Sequence, residues 1–312
     1  MRSDPGIAFV LGTGRCGSTL VHEVLARHPA VGFLTNLEDR LPLPPVAGRF
    51  NNELFRRVPV RFTQKGRIRF APSEGYRALE RGVSPILCAP QRDLVPADVT
   101  PWLEKRTRRF FADRARAQGR PVFLHKFTGW PRAGFLGRIF PEAKFVHVVR
   151  DGRAVANSFL QMPWWRGYEG PEAWGWGPLP PSYADEWAAS DRSFALLAGI
   201  EWKILIDAFE AAKAEVPAGR WLELRYEDFV AAPRDVTGEI LSFLDLDWDP
   251  GFEEGFARYA FETGRRDAFR RDLGINDIAA LDASLAGHLA RFGYAVRGGD
   301  REMQSPAEGG RS

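Results

Sequence analysis

Only two cysteines, Cys16 and Cys88, occur in 312 residues, so a disulfide framework is excluded. No Cys/His group has zinc-ligand spacing, and no metal centre is expected. Runs of about eighteen apolar residues are missing, which leaves no candidate for a transmembrane helix. The opening MRSDPGIAFVLG carries no apolar stretch of signal length ahead of a cleavage site, because its apolar run reads as a first strand. A chain that stays in a reducing cytoplasm is the expectation. Polybasic arms are absent too; the net charge of +3 comes from scattered arginine. That balance does not indicate a nucleic-acid partner and suits a small polyanionic ligand. Hydrophobic content of 45% and charged content of 27% are those of an ordinary soluble chain with enough residues for a real core.

One further absence is local. From Ile7 to Pro29, IAFVLGTGRCGSTLVHEVLARHP reads as a short apolar strand, a glycine-rich turn and an amphipathic helix. Gly12 and Gly17 have the spacing of the phosphate loop GxxxxGK[ST], yet Ser18 stands where the lysine belongs. The nearby cation is Arg15, in the turn itself. This argues against a metal-bound triphosphate and for another phosphate-like ligand. Gly12, Gly14 and Gly17 permit close approach of ligand oxygens to the backbone. The amides of Gly17, Ser18, Thr19 and Leu20 open a helix toward an anion, and Ser18 and Thr19 add hydroxyl donors.

Beyond Pro29 a short strand from Val31 to Leu34 leads into a loop with Asn36, Glu38, Asp39 and Arg40. Repeated prolines from Leu41 to about Thr100 predict an irregular covering segment with one or two helices. A basic helix over Pro101 to Gln118, a strand from Pro121 to Lys126, a helix near Ala133 to Phe140 and a strand from Ala143 to Arg150 follow. The last of these is apolar on both faces apart from His147, as in a buried parallel strand. A helix opens after RDG. The glycines and prolines between Gln161 and Trp187 predict no regular structure there, and the segment holds five of the ten tryptophans. Its rings either pack on the domain or form a lid or acceptor groove. A helix from Asp191 to Glu215, a strand from Trp221 to Phe229 and helices over Val236 to Leu244 and Asp277 to Phe292 complete the pattern. Alternating strands and helices predict an α/β fold, a single doubly wound parallel β-sheet flanked by helices, with ligands at its carboxyl edge. One domain over residues 1–297 is expected, with 41–120 variable, 161–190 as the tryptophan segment and 298–312 a disordered tail.

A second site is predicted in VVRDGRAVANS, where Arg150 leaves a buried strand and Ser158 follows two helical turns later. An arginine and a hydroxyl so placed converge on one phosphate. With GTGRCGSTL, FVHVVRDGRAVANSF, LRYEDFVAAP and, more weakly, ARFGY, the chain resembles the sulfotransferases that use 3′-phosphoadenosine 5′-phosphosulfate (PAPS). The likeness is to the bacterial, Golgi and protein-tyrosine branch, and it implies a P-loop-like fold and no metal. It implies that Arg15, Cys16, Gly17, Ser18 and Thr19 hold the 5′-phosphosulfate, Cys16 through its backbone alone. Arg150 and Ser158 would take the 3′-phosphate, with Tyr226 near the nucleotide and Lys126 stabilising the transition state. Arg265 or Arg266 would close a basic loop over the phosphates, although Ala268 falls where relatives carry lysine. Where relatives supply a general base, this chain has Thr35 and Asn36. Glu38 is the choice, with Asp39 and His125 as alternatives. The acceptor hydroxyl belongs to a carbohydrate, lipid, small metabolite or tyrosine. The competing readings are a small-molecule kinase with a degenerate loop and a catalytically inactive nucleotide-binding module.

Overall fold

Five parallel strands form one sheet in the order β2-β3-β1-β4-β5: β1 Gly6–Gly12, β2 Val31–Phe33, β3 Val122–Thr128, β4 Lys144–Val149 and β5 Trp221–Arg225. The computed structural model describes residues 5–59 and 70–295, so the expected tail lies outside the described residues. β1 is central, and its side chains alternate between two cores, as the two-residue period requires. Phe9 and Leu11 face a phenylalanine-rich core with Phe111, Phe127 and Phe145, and the Phe9 and Phe145 rings stack at 5.6 Å. Ala8 and Val10 face an aliphatic core with Val21, Val24, Leu124 and Val146 on the opposite side. Burial on both faces accounts for the near-continuous apolar strands.

Helices cover both faces. The first three are α1 Ser18–Leu25, α2 Asn36–Arg40 and α3 Ala47–Arg57; then come α4 Tyr76–Gly82, α5 Pro101–Gln118, α6 Ala133–Ile139 and α7 Gly152–Leu160. After them run α8 Pro181–Ala189, α9 Phe194–Ala214, α10 Tyr226–Ala231, α11 Pro233–Phe243, α12 Pro250–Phe256, α13 Phe269–Asp272 and α14 Ile275–Arg291. Four sequence expectations change. The loop after β2 is the helix α2, because Thr35 and Glu38 form a reciprocal capping box. β3 runs two residues past Lys126, since Phe127 and Thr128 stay in register with Leu11 and Gly12. β5 stops at Arg225, and Tyr226 opens α10. The tryptophan segment is not wholly irregular: α8 occupies its end, with Pro181 at the first helical position, where a proline's missing N–H costs nothing.

The covering segment returns to the sheet at one place. Thr35 pairs antiparallel with Pro72, Asn36 N–H donates to Ala71 C=O and Ser73 N–H donates to Leu34 C=O. This short ladder extends the β2 edge and brings residues 73–76 to the carboxyl end of β3.

Candidate active site

The turn after β1 is shaped by side chains that need its glycines. Gly17 has φ 91°, and a Cβ there would lie 2.1 Å from the Tyr226 ring. Gly12 approaches Cys16 just as closely, because the Cys16 thiol is buried beneath the turn and contributes no surface to it. Arg15 is held in the left-handed region at φ 55°, a strained conformation for a residue with a Cβ. Arg150 Nη1 donates to Arg15 C=O at 2.9 Å and holds the turn in that shape. Gly17 caps α1 without a side-chain acceptor, and no acidic residue stands in the first turn. The open amides therefore face an electropositive space.

The predicted phosphate residues gather here. Arg15 Nε donates to Ser158 Oγ at 2.8 Å, and Arg150 Nη2 donates to Arg265 C=O at 2.8 Å. Arg150 also lies over the Tyr226 ring at 4.9 Å. Arg15, Arg150, Arg265, Tyr226, Gly17, Ser18 and Thr19 line one chamber of about 920 Å³, which Arg266 does not line. Burial, then the like charges of Arg150 and Arg265, push the Arg15 pKa down. Three guanidiniums on one chamber make its electrostatic potential positive. Arg153, two residues past Asp151, is instead consumed by Asp151 and Asp282. Glu227 of the YED sequence accepts from Asp151 N–H and from the Tyr294 hydroxyl, so the quoted C-terminal motifs brace this edge of the sheet.

Lys126 is buried, not a solvated strand end. Its ammonium donates to Thr19 Oγ1 at 2.7 Å and pairs with Glu74 Oε1 at 2.7 Å. Glu74 also accepts from the Thr128 hydroxyl at 3.0 Å, and the Tyr76 hydroxyl meets Thr128 Oγ1 at 3.1 Å. Burial pushes the Glu74 carboxyl up, but Lys126 and the hydrogen bonds from Lys126, Thr128 and Tyr76 outweigh it and leave the pKa below its ordinary value. Glu23, one turn beyond Thr19 on α1, also lines the chamber. Burial raises its pKa to about 7 against the opposing charges of Lys126 and Arg27. Two carboxyls beside one lysine are thereby driven apart in acidity.

Neither the chosen base nor its alternatives reach this chamber. Glu38 is buried, with Oε2 accepting from Thr35 N–H and Thr35 Oγ1, and it is committed to capping α2. Asp39 accepts from Ala78 N–H and ties α2 to α4. His125 points to the face of β3 opposite Lys126, edge-on to Phe111 and Phe127, where burial lowers its pKa to about 3. The T-x-x-E spacing of Thr35 and Glu38 is itself a capping signature and was the available signal against Glu38. Glu74 had none, because only the tertiary ladder at Thr35 and Pro72 brings it to Lys126.

A parallel sheet in this order, flanked by helices and with a glycine-rich turn carrying Arg15 at the end of β1, is the P-loop-like doubly wound fold. The signature of the sulfotransferase family matches residues 6–250, and the chain belongs to that family, whose reaction is sulfuryl transfer. The fold is similar to the sulfotransferase domain from the curacin biosynthetic pathway, at TM-score 0.54 and 15% identity over 95% of this chain and 100% of that one. Sulfotransferase STF9 from Mycobacterium avium gives TM-score 0.58 and 14% identity over 95% of this chain and 79% of that one. No curated protein matches.

Proposed function

We propose that the protein transfers a sulfuryl group from PAPS to an acceptor hydroxyl in the cytoplasm, without a metal. The observation that carries this reading is the arginine-built cradle, in which Arg15 meets Ser158 and Arg150 around a helix start lacking the kinase lysine. PAPS, when bound, supplies a sulfuryl group of single negative charge, so less charge needs neutralising than on a γ-phosphate. Arg15 and the amides of Gly17, Ser18 and Thr19 hold the 5′-phosphosulfate, with Cys16 contributing backbone alone. Arg150, Ser158 and Arg265 receive the 3′-phosphate, and Tyr226 supports the nucleotide. Arg266, next to Arg265 on the same loop, is the second candidate to close over the phosphates.

Lys126 stabilises charge on the sulfuryl oxygens. Glu74 replaces Glu38 as general base: it takes the acceptor proton as the acceptor oxygen bonds to sulfur. Arg15 meets the charge gathering on the departing phosphate, the phosphosulfate S–O bond breaks, and adenosine 3′,5′-bisphosphate leaves. Support for Glu74 is its place beside Lys126 and Thr128 at the chamber wall, ionised by its partners. Transfer of labelled sulfate from PAPS tests the assignment. Arg15→Ala and Glu74→Gln should each lower kcat roughly a hundredfold, while Glu38→Gln should leave kcat intact and lower stability. Full activity of Glu74→Gln would return the base to another residue, Glu23 first.

A further inference from the structure

We propose that the acceptor is an uncharged, ring-bearing compound offering a single hydroxyl, a phenol or aryl alcohol, received between the tryptophans beside the cradle. The inference rests on the sulfuryl-transfer reading and names its second substrate. Two aromatic walls stand against the cradle. Phe159 lies where a Cβ on Gly14 would be 3.7 Å away, and Trp164 packs edge-on to Phe159 at 6.0 Å. On the other side Gly129 N–H donates to Gly12 C=O. Trp176 covers Gly129, so closely that a Cβ there would be 2.7 Å from the ring, and meets Trp130 edge-on at 5.8 Å.

The segment that carries Trp164 and Trp176 is anchored at two neighbouring rings. Trp165 is buried, and its indole N–H donates to the fully buried Glu201 of α9 at 2.7 Å. The Trp174 indole donates to Gly177 C=O at 2.7 Å. Fixed rings supply contact area at little entropic cost, which favours a flat apolar ligand.

The polar inventory disfavours acceptors that bury several hydroxyls or carry a negative charge. Arg132 lines the chamber but spends its guanidinium on the carbonyls of Leu87, Cys88, Thr128 and Trp130. Thr128 and Tyr76 are occupied by each other and by Glu74. The Trp130 indole N–H and the Glu23 carboxyl remain to meet one or two hydroxyls; the further hydroxyls of a buried sugar would lose water without gaining partners, at a cost of roughly tenfold or more in affinity for each. Glu74 and Glu23 oppose an anionic acceptor on this side, since Arg15, Arg150 and Arg265 are engaged by the donor. A single hydroxyl presented to Glu74 meets none of these costs.

Calorimetry with adenosine 3′,5′-bisphosphate comes first, followed by kcat/KM at saturating PAPS for 2-naphthol, methyl glucoside and an acidic tyrosyl peptide. The expected order puts 2-naphthol at least roughly a hundredfold above the glucoside, with the peptide below it. Trp164 is 53% exposed, so Trp164→Ala should fold. It should raise KM for naphthol roughly three- to tenfold, with unchanged bisphosphate affinity. Preference for the glucoside or the peptide overturns the inference and leaves sulfuryl transfer standing. So does a protein that binds the bisphosphate yet neither sulfates naphthol when given PAPS nor, when loaded with the bisphosphate, shows quenched tryptophan fluorescence on adding naphthol. Failure to bind the bisphosphate at all overturns the donor reading and this inference with it.

Discussion

At the scale of single residues the cradle depends on contacts that leave little latitude. Gly17 is both left-handed and pressed on Tyr226, so Gly17→Ala forces the ring away from Arg150 and distorts the open amides. Adenosine 3′,5′-bisphosphate affinity should fall by at least roughly tenfold, since even one strained φ costs about 1–3 kcal/mol; unchanged affinity in calorimetry would show that the turn is more pliant than its packing implies. That Arg15, Arg150 and Ser158 lie together could be anticipated from two motifs at the carboxyl ends of β1 and β4, and the structure brings them within hydrogen-bond reach. Glu74 could not be, since its position comes from a ladder between segments far apart in sequence. Lys126 and His125 show a related limit: adjacent residues on a strand face opposite sides, so one enters the chamber and the other is sealed among phenylalanines.

At the scale of elements, the tryptophan segment both packs on the domain and borders the chamber. Trp165, Trp174, Trp176 and Trp187 pack toward α9, while Trp164, Trp174 and Trp176 line the chamber. The joint between segment and helix is Glu201. Burial pushes its pKa up to about 8, against hydrogen bonds from Trp165 and Trp176. An acid whose folded pKa is raised contributes stability that is complete below its unfolded value. That contribution is lost as pH rises toward the folded one. The stability advantage of the native protein over Glu201→Gln should therefore shrink between pH 4.5 and about 8. Thermal melts across that range check it, and a pH-independent difference would contradict the buried-acid account. Element boundaries were the least legible feature: α2 begins where a loop was expected, and α10 where a strand was, because a capping box and a sheet edge outweighed local propensity.

For the whole molecule, the single parallel sheet was readable from strands that alternate with helices and are apolar on both faces, whereas the order β2-β3-β1-β4-β5 and the two cores came only with the structure. The irregular covering segment was read as a cover only; folded, it also supplies Glu74 and Tyr76 to the site. Arg265, on an exposed loop, is tied to Arg150 through its carbonyl. A nucleotide bound at Arg150 should protect that loop, and trypsin cleavage after Arg265 and Arg266 should slow when adenosine 3′,5′-bisphosphate is added. The central claim is that the cradle is complete for a 3′-phosphorylated donor and is not a kinase loop with its lysine missing. Parallel calorimetric titrations with adenosine 3′,5′-bisphosphate and with ATP plus magnesium test it most directly. The account predicts tight, magnesium-independent binding of the bisphosphate, weakened by Arg150→Ala and Ser158→Ala; preferential, magnesium-dependent binding of ATP would contradict it.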